Sequence, residues 1–285
     1  MKISVVMPVY NAEKYILEAL NSVENQTVEP YELIVVNDAS KDSTYKLLLN
    51  YPLSIPMEIL IHKENKGIGY SRQHGAISSH GDYVAFLSAD DKYHPNFIKE
   101  VVKVLEKKPE CGIYTSYYRC SEDMRIKQIF NPPYSENYEV FKKLVILWAL
   151  EKNMFVNFSS VVIPKFWFNK ISFEYDLKHG EDLIFLLDTI VEGYRWSYIN
   201  KPLLYYRLHP KQGTRTDAKT KEYWKKMWFY LYDRLVEKLD IPLDIYALAY
   251  KNNYDLFFPN KFQLFKRKIK TAIKILNRKI KRGYI

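Results

Sequence analysis

Apolar residues in the first hundred positions fall in short unbroken runs, separated by stretches where they recur every three or four residues. Ile3, Val5, Val6 and Met7 form such a run, so Lys2 to Val9 reads as a buried strand whose pairing Pro8 ends. Tyr15, Ile16, Ala19, Leu20 and Val23 then keep helical spacing to about Asn25, with Asn11 as a candidate cap. Glu32 to Val36 is the next strand. It ends in the turn-forming Asn37-Asp38-Ala39-Ser40, and Asp42 or Ser43 opens a helix through Leu49. The alternation repeats with a strand at Met57 to Ile61, a helix at Ile68 to Ser79, and a strand at Tyr83 to Leu87 that stops at Ser88-Ala89-Asp90-Asp91. Strands alternating with helices predict βαβ units and a parallel sheet covered on both faces. In such sheets ligands gather at the carboxyl ends of the strands, which places Pro8-Val9-Tyr10, Asn37-Asp38 and Asp90-Asp91 on one edge.

Beyond Pro95 the pattern predicts a helix to about Lys107, a strand at Cys111 to Tyr118, and a polar stretch, Ser121 to Asn137, that is either a hairpin or a mobile loop. Ser159 to Ile163 is a further strand, a helix over 181–192 starts at Gly180-Glu181-Asp182, and Leu203 to Leu208 is a late strand. From Asp217 the spacing is helical to the end, broken at Pro242 and Pro259. The chain divides accordingly into 1–110, 111–216 and a helical extension over 217–285.

Composition changes this picture little. The chain is 285 residues long, with 47% hydrophobic and 27% charged residues, and excludes disorder. Its 25 tyrosines suit a surface that meets polyhydroxylated ligands, or simply a tyrosine-rich core and rim. Cys111 and Cys120 are too few for a disulfide scaffold, which points to free thiols and a cytoplasmic setting. No run approaches the ~18 apolar residues of a membrane span. The net charge of +10 is the informative quantity. Ten basic residues and no acid lie from Lys261 onward, whereas residues 1–260 carry 33 of each sign. Phe262, Phe265, Ile269, Ile273, Leu276 and Ile280 make an apolar stripe among those lysines and arginines. Residues 260–282 therefore read as a basic amphipathic helix drawn to an anionic membrane surface, against packing on the body or a solvated face. No nucleic-acid-binding motif accompanies the charge.

Adjacent carboxylates at Asp90 and Asp91 repel unless a cation separates them, and hard oxygen ligands suit Mg or Mn bridged to substrate phosphates. His209, in Tyr205-Tyr206-Arg207-Leu208-His209, is a candidate third metal ligand, and Arg207 or Arg215 could neutralise a diphosphate. Asp38 could accept the imide N–H of a uracil or thymine ring, or form an Asx turn. Arg72, in the first turns of its helix, could reach phosphate or base, or lie in solvent. Asp182 has the placement of a general base, or of a favourable acid at a helix start.

In this order, Val5-Val6-Met7-Pro8-Val9-Tyr10-Asn11, Ser22-Val23-Glu24-Asn25-Gln26-Thr27, Glu32 to Thr44, Asn65 to Arg72, Gly81 to Asp91 and Gly180-Glu181-Asp182 resemble the family 2 glycosyltransferases of GT-A fold, over residues 1 to about 210. The resemblance implies a Rossmann-like mixed sheet flanked by helices with a C-terminal helical extension. It implies an inverting, hexosyltransferase-type enzyme that moves a sugar from a nucleotide-sugar, a UDP-sugar being the expected donor, to a saccharide or lipid-linked saccharide in cell-surface polysaccharide synthesis. Under it Pro8, Val9 and Tyr10 wall the base pocket, Asp38 reads the base, Asp90 and Asp91 serve ribose and metal with Asp91 the direct ligand, and Asp182 is the base. The enzyme would act peripherally on the inner face of the cytoplasmic membrane. Two positions depart from the usual pattern: Ser88 and Asn37 stand where carboxylates are frequent, which bears on metal affinity more than on metal use. The alternatives are a sugar nucleotidyltransferase, which lacks here a glycine-rich triphosphate loop, and a non-catalytic nucleotide-sugar-binding protein.

Overall fold

A computed structural model describes residues 1–150, 156–173, 177, 180–210, 212, 230 and 234. In chain order the elements are β1 (Ile3–Val9), α1 (Ile16–Glu24), β2 (Glu32–Asn37), α2 (Thr44–Leu49), β3 (Met57–Ile61), α3 (Ile68–Ser78), β4 (Tyr83–Phe86), β5 (Lys92–Tyr93), α4 (Phe97–Leu105), β6 (Gly112–Cys120), β7 (Ile126–Phe130), α5 (Tyr138–Leu150), β8 (Val161–Pro164), α6 (Glu181–Val191) and β9 (Trp196–Arg207). They build one nine-stranded sheet of order β3-β2-β1-β4-β8-β6-β9-β5, with β7 paired to β6. The expected parallel pairing holds for β3-β2-β1-β4 and for β6-β9. β8 runs antiparallel between β4 and β6, which makes the sheet mixed. The stretch between Ser121 and Asn137 contains the outer strand of a hairpin, β7 on β6.

The continuous apolar runs are explained by burial on both faces. Along β1 and β2 alternate residues enter opposite cores: Val6, Ile34 and Val36 pack on one side, while Val5, Met7, Leu33 and Val35 pack on the other. The first core is closed by α5 and α6 through Phe141, Val145, Ile184 and Leu187. The second is closed by α1 and α4 through Ile16, Leu20, Phe97 and Val101. Gly75 lets α3 lie against the sheet, because a Cβ there would fall 2.4 Å from Val6 Cγ1 and 3.0 Å from Val36 Cγ2. Gly75→Ala is therefore expected to cost about 1–3 kcal/mol by overpacking, visible as a lowered Tm in thermal unfolding. An unchanged Tm would mean that α3 is free to move outward.

Cys111 and Cys120 are free thiols, as expected. Among the described residues no helix is long and apolar enough to cross a membrane. The boundary at 216, most of the extension over 217–285 and Arg215 lie outside the described residues. Within the extension, Arg234 Nε donates to Asp188 Oδ1 of α6 at 2.9 Å, and Tyr230 packs against the first core.

Candidate functional site

Three turns leave the carboxyl ends of β1, β2 and β4, and each is fastened by its own polar residues. After β1, Asn11 (φ 48°) accepts at Oδ1 from Lys41 N (2.8 Å), and its own N–H donates to Ser40 Oγ (3.0 Å). Asn11 thus joins two turns rather than capping α1. Asn37 is buried at the end of β2 and accepts from Ser40 N at 3.1 Å, the work of an Asx turn. Of the three expected base-pocket residues only Tyr10 is exposed. Pro8 is buried, and Val9 is a correction to the sequence expectation, since its side chain belongs to the core beside α1.

Asp38 is 3% exposed and holds the loop that precedes α3. Its Oδ1 accepts from Lys66 N (2.8 Å) and from His62 Nδ1 (2.7 Å), and its Oδ2 from Gly67 N (2.9 Å). A carboxylate can only accept, so His62 carries its proton on Nδ1. Its Nε2 meets His74 Nδ1 at 2.9 Å, and burial followed by the neighbouring His62 pushes the His74 imidazole down from its ordinary value. Neither histidine was singled out in the sequence, because nothing local distinguishes a histidine in such a relay from one in solvent.

The carboxylates of the β4 turn have divergent surroundings. Asp91 is 2% exposed, and both its oxygens are engaged: Ser159 Oγ donates to Oδ2 (2.7 Å) and Arg207 N to Oδ1 (3.0 Å). Burial, with the adjacent Asp90 charge, raises its carboxyl well above the usual range. Ser88, at the position where a carboxylate is frequent, sits 3.0 Å from Ser159 Oγ within the same network. Asp90 is the more open of the pair, with 24% side-chain exposure, and its Oδ2 meets His209 Nε2 at 2.9 Å. The two expected metal ligands therefore differ in setting: both oxygens of Asp91 are engaged in the protein, while His209 meets the neighbouring Asp90. Among the described residues no group of three or more His, Cys, Asp or Glu side chains could hold a metal ion.

Arg207, the last residue of β9 and an expected nucleotide contact, is engaged within the protein. Its Nε donates to Asp90 O (2.8 Å), its Nη1 to Glu122 O, and its Nη2 pairs with Glu18 Oε1 at 3.1 Å, while the guanidinium lies over the Tyr15 ring at 4.6 Å. Tyr15 also flanks the His209 ring at 4.9 Å and donates to Glu122 Oε1 at 2.7 Å. Glu18, Glu122, Tyr15 and Ser159 carry no signature in sequence, since each acts through a partner more than sixty residues away.

Arg72, also an expected nucleotide contact, is likewise engaged within the protein. It is 5% exposed and its Nη1 donates to Glu181 Oε1 at 2.7 Å. Glu181 is 3% exposed, and burial, followed by the charge of Asp182, pushes its carboxyl up to about 7 against the pull of Arg72. Asp182 is half-buried in the first turn of α6. A continuous path of contacts then connects the predicted elements. Asp91, next to Asp90, reaches Ser159, the adjacent Phe158 ring lies 5.0 Å from the Arg72 guanidinium, and Arg72 bonds Glu181 beside Asp182. At the other end of the path, the Asp38 loop leads through Gly67 into α3, where Gly69 abuts Glu181.

A family model described as glycosyl transferase family 2 matches residues 4–172. An uncharacterized glycosyltransferase of Rickettsia typhi is 28% identical over 99% of this chain and 87% of its own length. Glycosyltransferase GlyA of Streptococcus pneumoniae is 24% identical over 91% of this chain and 38% of its own. Among solved structures, TarS 1-349 of S. aureus in complex with UDP-GlcNAc superposes with a TM-score of 0.72 at 19% identity, covering 92% of this chain and 78% of that one. The sheet and its flanking helices thus have the GT-A fold.

Proposed function

This chain belongs to glycosyl transferase family 2 and is a glycosyltransferase, and from that premise we propose that it transfers a sugar from a UDP-sugar to a hydroxyl of a saccharide or lipid-linked saccharide, with inversion. The observation that carries this reading is the contact path through Asp38, Gly69, Glu181, Arg72, Phe158, Ser159, Asp91 and Asp90, which connects the turns of Asp38, Asp90 and Asp91 to the helix start that bears Asp182. Tyr10 offers an exposed ring to the nucleobase, and Asp38 Oδ2, with one bond from Gly67, retains acceptor capacity for an imide N–H. The likeness to TarS, whose crystal contains UDP-GlcNAc, supports uridine as the base.

A carboxylate oxygen of Asp90 and the imidazole of His209 converge within 2.9 Å, and an oxygen–nitrogen donor pair of this kind suits Mn or Mg shared with a diphosphate. Held there, such an ion would stabilise the charge that develops on the departing diphosphate. Asp91 and Arg207 hold the turn that presents Asp90, the first through Ser159 and the Arg207 backbone, the second through the Asp90 carbonyl. Asp182 takes the proton of the acceptor hydroxyl while its oxygen bonds to the anomeric carbon. The bond from that carbon to the β-phosphate oxygen breaks on the opposite face, and the nucleoside diphosphate leaves with the electron pair.

A panel of nucleotide-sugars, scored for Mn-dependent hydrolysis and thermal shift, tests the reading. UDP-sugars should respond, and a response confined to another base would overturn the assignment of Asp38. The basic stripe over 260–282 supports peripheral attachment to the anionic inner face of the cytoplasmic membrane. Full-length protein should co-sediment with anionic vesicles and a version ending at Pro259 should not; equal sedimentation would remove the attachment.

A further inference from the structure

Gly180-Glu181-Asp182 puts two acids at one helix start, and the chemistry above uses only the second. The first is the more buried, and its partner comes from another element. Glu181 accepts from Arg72 Nη1 at 2.7 Å, while the Arg72 guanidinium lies 5.0 Å from the Phe158 ring centre and 5.8 Å from that of Phe173. One turn before Arg72, a Cβ at Gly69 would fall 3.0 Å from Glu181 Cγ and 2.8 Å from Phe173 O. α3 and α6 therefore meet at two points, both on Glu181. The chain enters α6 through Gly180 at φ 80°, a left-handed conformation that glycine adopts without strain.

We propose that Arg72 and Glu181 are positioning residues for Asp182: their buried ion pair, seated on Gly69, fixes the first turn of α6 and with it the place of the Asp182 carboxylate. The proposal rests on the reading of Asp182 as the base. A buried ion pair contributes little net stability because desolvation offsets its attraction, but it tolerates few geometries. That makes it suited to holding a neighbour in register, where a displacement of about 1 Å can cost on the order of 100-fold in rate.

The pair also links the base to pH. The charged groups acting on Glu181 are Asp182 on its own helix and Arg72 on α3. Burial and Asp182 keep the Glu181 proton until about pH 7, so the ion pair is complete only above neutrality. Turnover should accordingly rise near neutrality, as the pair that fixes the first turn of α6 becomes complete.

The test measures UDP release from the UDP-sugar that the donor panel selects, with UDP affinity determined separately in the presence of Mn. Glu181→Gln and Arg72→Met should each lower kcat by about 100-fold with UDP affinity unchanged, and Glu181→Gln should erase the rise near neutrality. Arg72→Lys should recover part of the loss. Removing one partner leaves a buried charge, so the double variant Arg72→Met/Glu181→Gln controls for folding: it should regain Tm but not turnover. Recovery of turnover in the double variant would reduce the pair to scaffolding. A Glu181→Gln profile that is only a scaled copy of the wild-type curve would overturn the proposal, and so would a loss of UDP affinity in Arg72→Met equal to its loss of turnover. Asp182→Asn separates the two claims, because full turnover in that variant removes the base, and the proposal with it, whatever the pair does.

Discussion

Asp182→Asn should reduce turnover by about 10²–10⁴-fold while leaving UDP affinity and Tm close to wild type. The amide keeps the size and one oxygen of the carboxylate but cannot take a proton from an attacking hydroxyl. It also keeps an acceptor for Leu183 N, which Asp182 Oδ1 receives at 2.8 Å, so the first turn of α6 should persist. The effect belongs in kcat, since the proton moves only in the transition state. Loss of UDP affinity would instead place Asp182 in contact with the donor, and undiminished turnover would remove it from the chemistry. Chemical rescue offers a second check: a small carboxylate such as formate should restore part of the rate lost in Asp182→Ala, where the side chain is vacated, and none of the rate lost in a variant of Asp38.

The second large effect distinguishes the two adjacent acids. Asp90→Asn should lower Mn-dependent turnover by about 10²–10³-fold, the scale of losing one preorganised electrostatic contact, with little change in Tm. The manganese concentration giving half-maximal activity should rise at the same time. Asp91→Ala should act first on the fold. Ser159 Oγ and Arg207 N would each lose a buried acceptor, at about 1–3 kcal/mol per group, and Tm should fall accordingly. If Asp91→Ala kept its Tm and lost its manganese response while Asp90→Asn kept both, the sequence expectation of Asp91 as the direct ligand would stand after all. His209→Ala should resemble Asp90→Asn, since the two side chains meet at 2.9 Å.

The contrast between these acids shows what the sequence could and could not reveal. β1, β2 and β4 were legible because strands buried on both faces must be apolar throughout, and the half-exposed outer strand Met57–Ile61 was also bounded correctly. α3 and α6 were legible from their spacing and starts. β5 was missed because two residues, Lys92 and Tyr93, become a strand only by pairing with Leu204 and Tyr205 more than a hundred positions later. β9 was read too short: its register on β6 passes from Ile199 opposite Thr115 to Pro202 opposite Ser116, so a bulge at Asn200 and Lys201 interrupts the apolar pattern. α5 gave no signal that was read.

In the site, residue types were legible and partners were not. Asp38, Asp90 and Asp91 follow the carboxyl ends of β2 and β4 as expected, yet Arg72 and Arg207 are committed to Glu181 and Glu18, 109 and 189 residues away in sequence. An arginine near a strand end looks the same whether it faces a phosphate or a buried glutamate. Only the tertiary pairing decides, and a single sequence contains no record of it.

The Asp38 carboxylate, bound at once to Lys66 N, Gly67 N and His62, ties the end of β2 to the entry of α3. Shortening this side chain would strip three donors of their shared acceptor together, so its replacement is felt first as a loosened loop over 62–67 and only then in whatever the carboxylate offers a ligand.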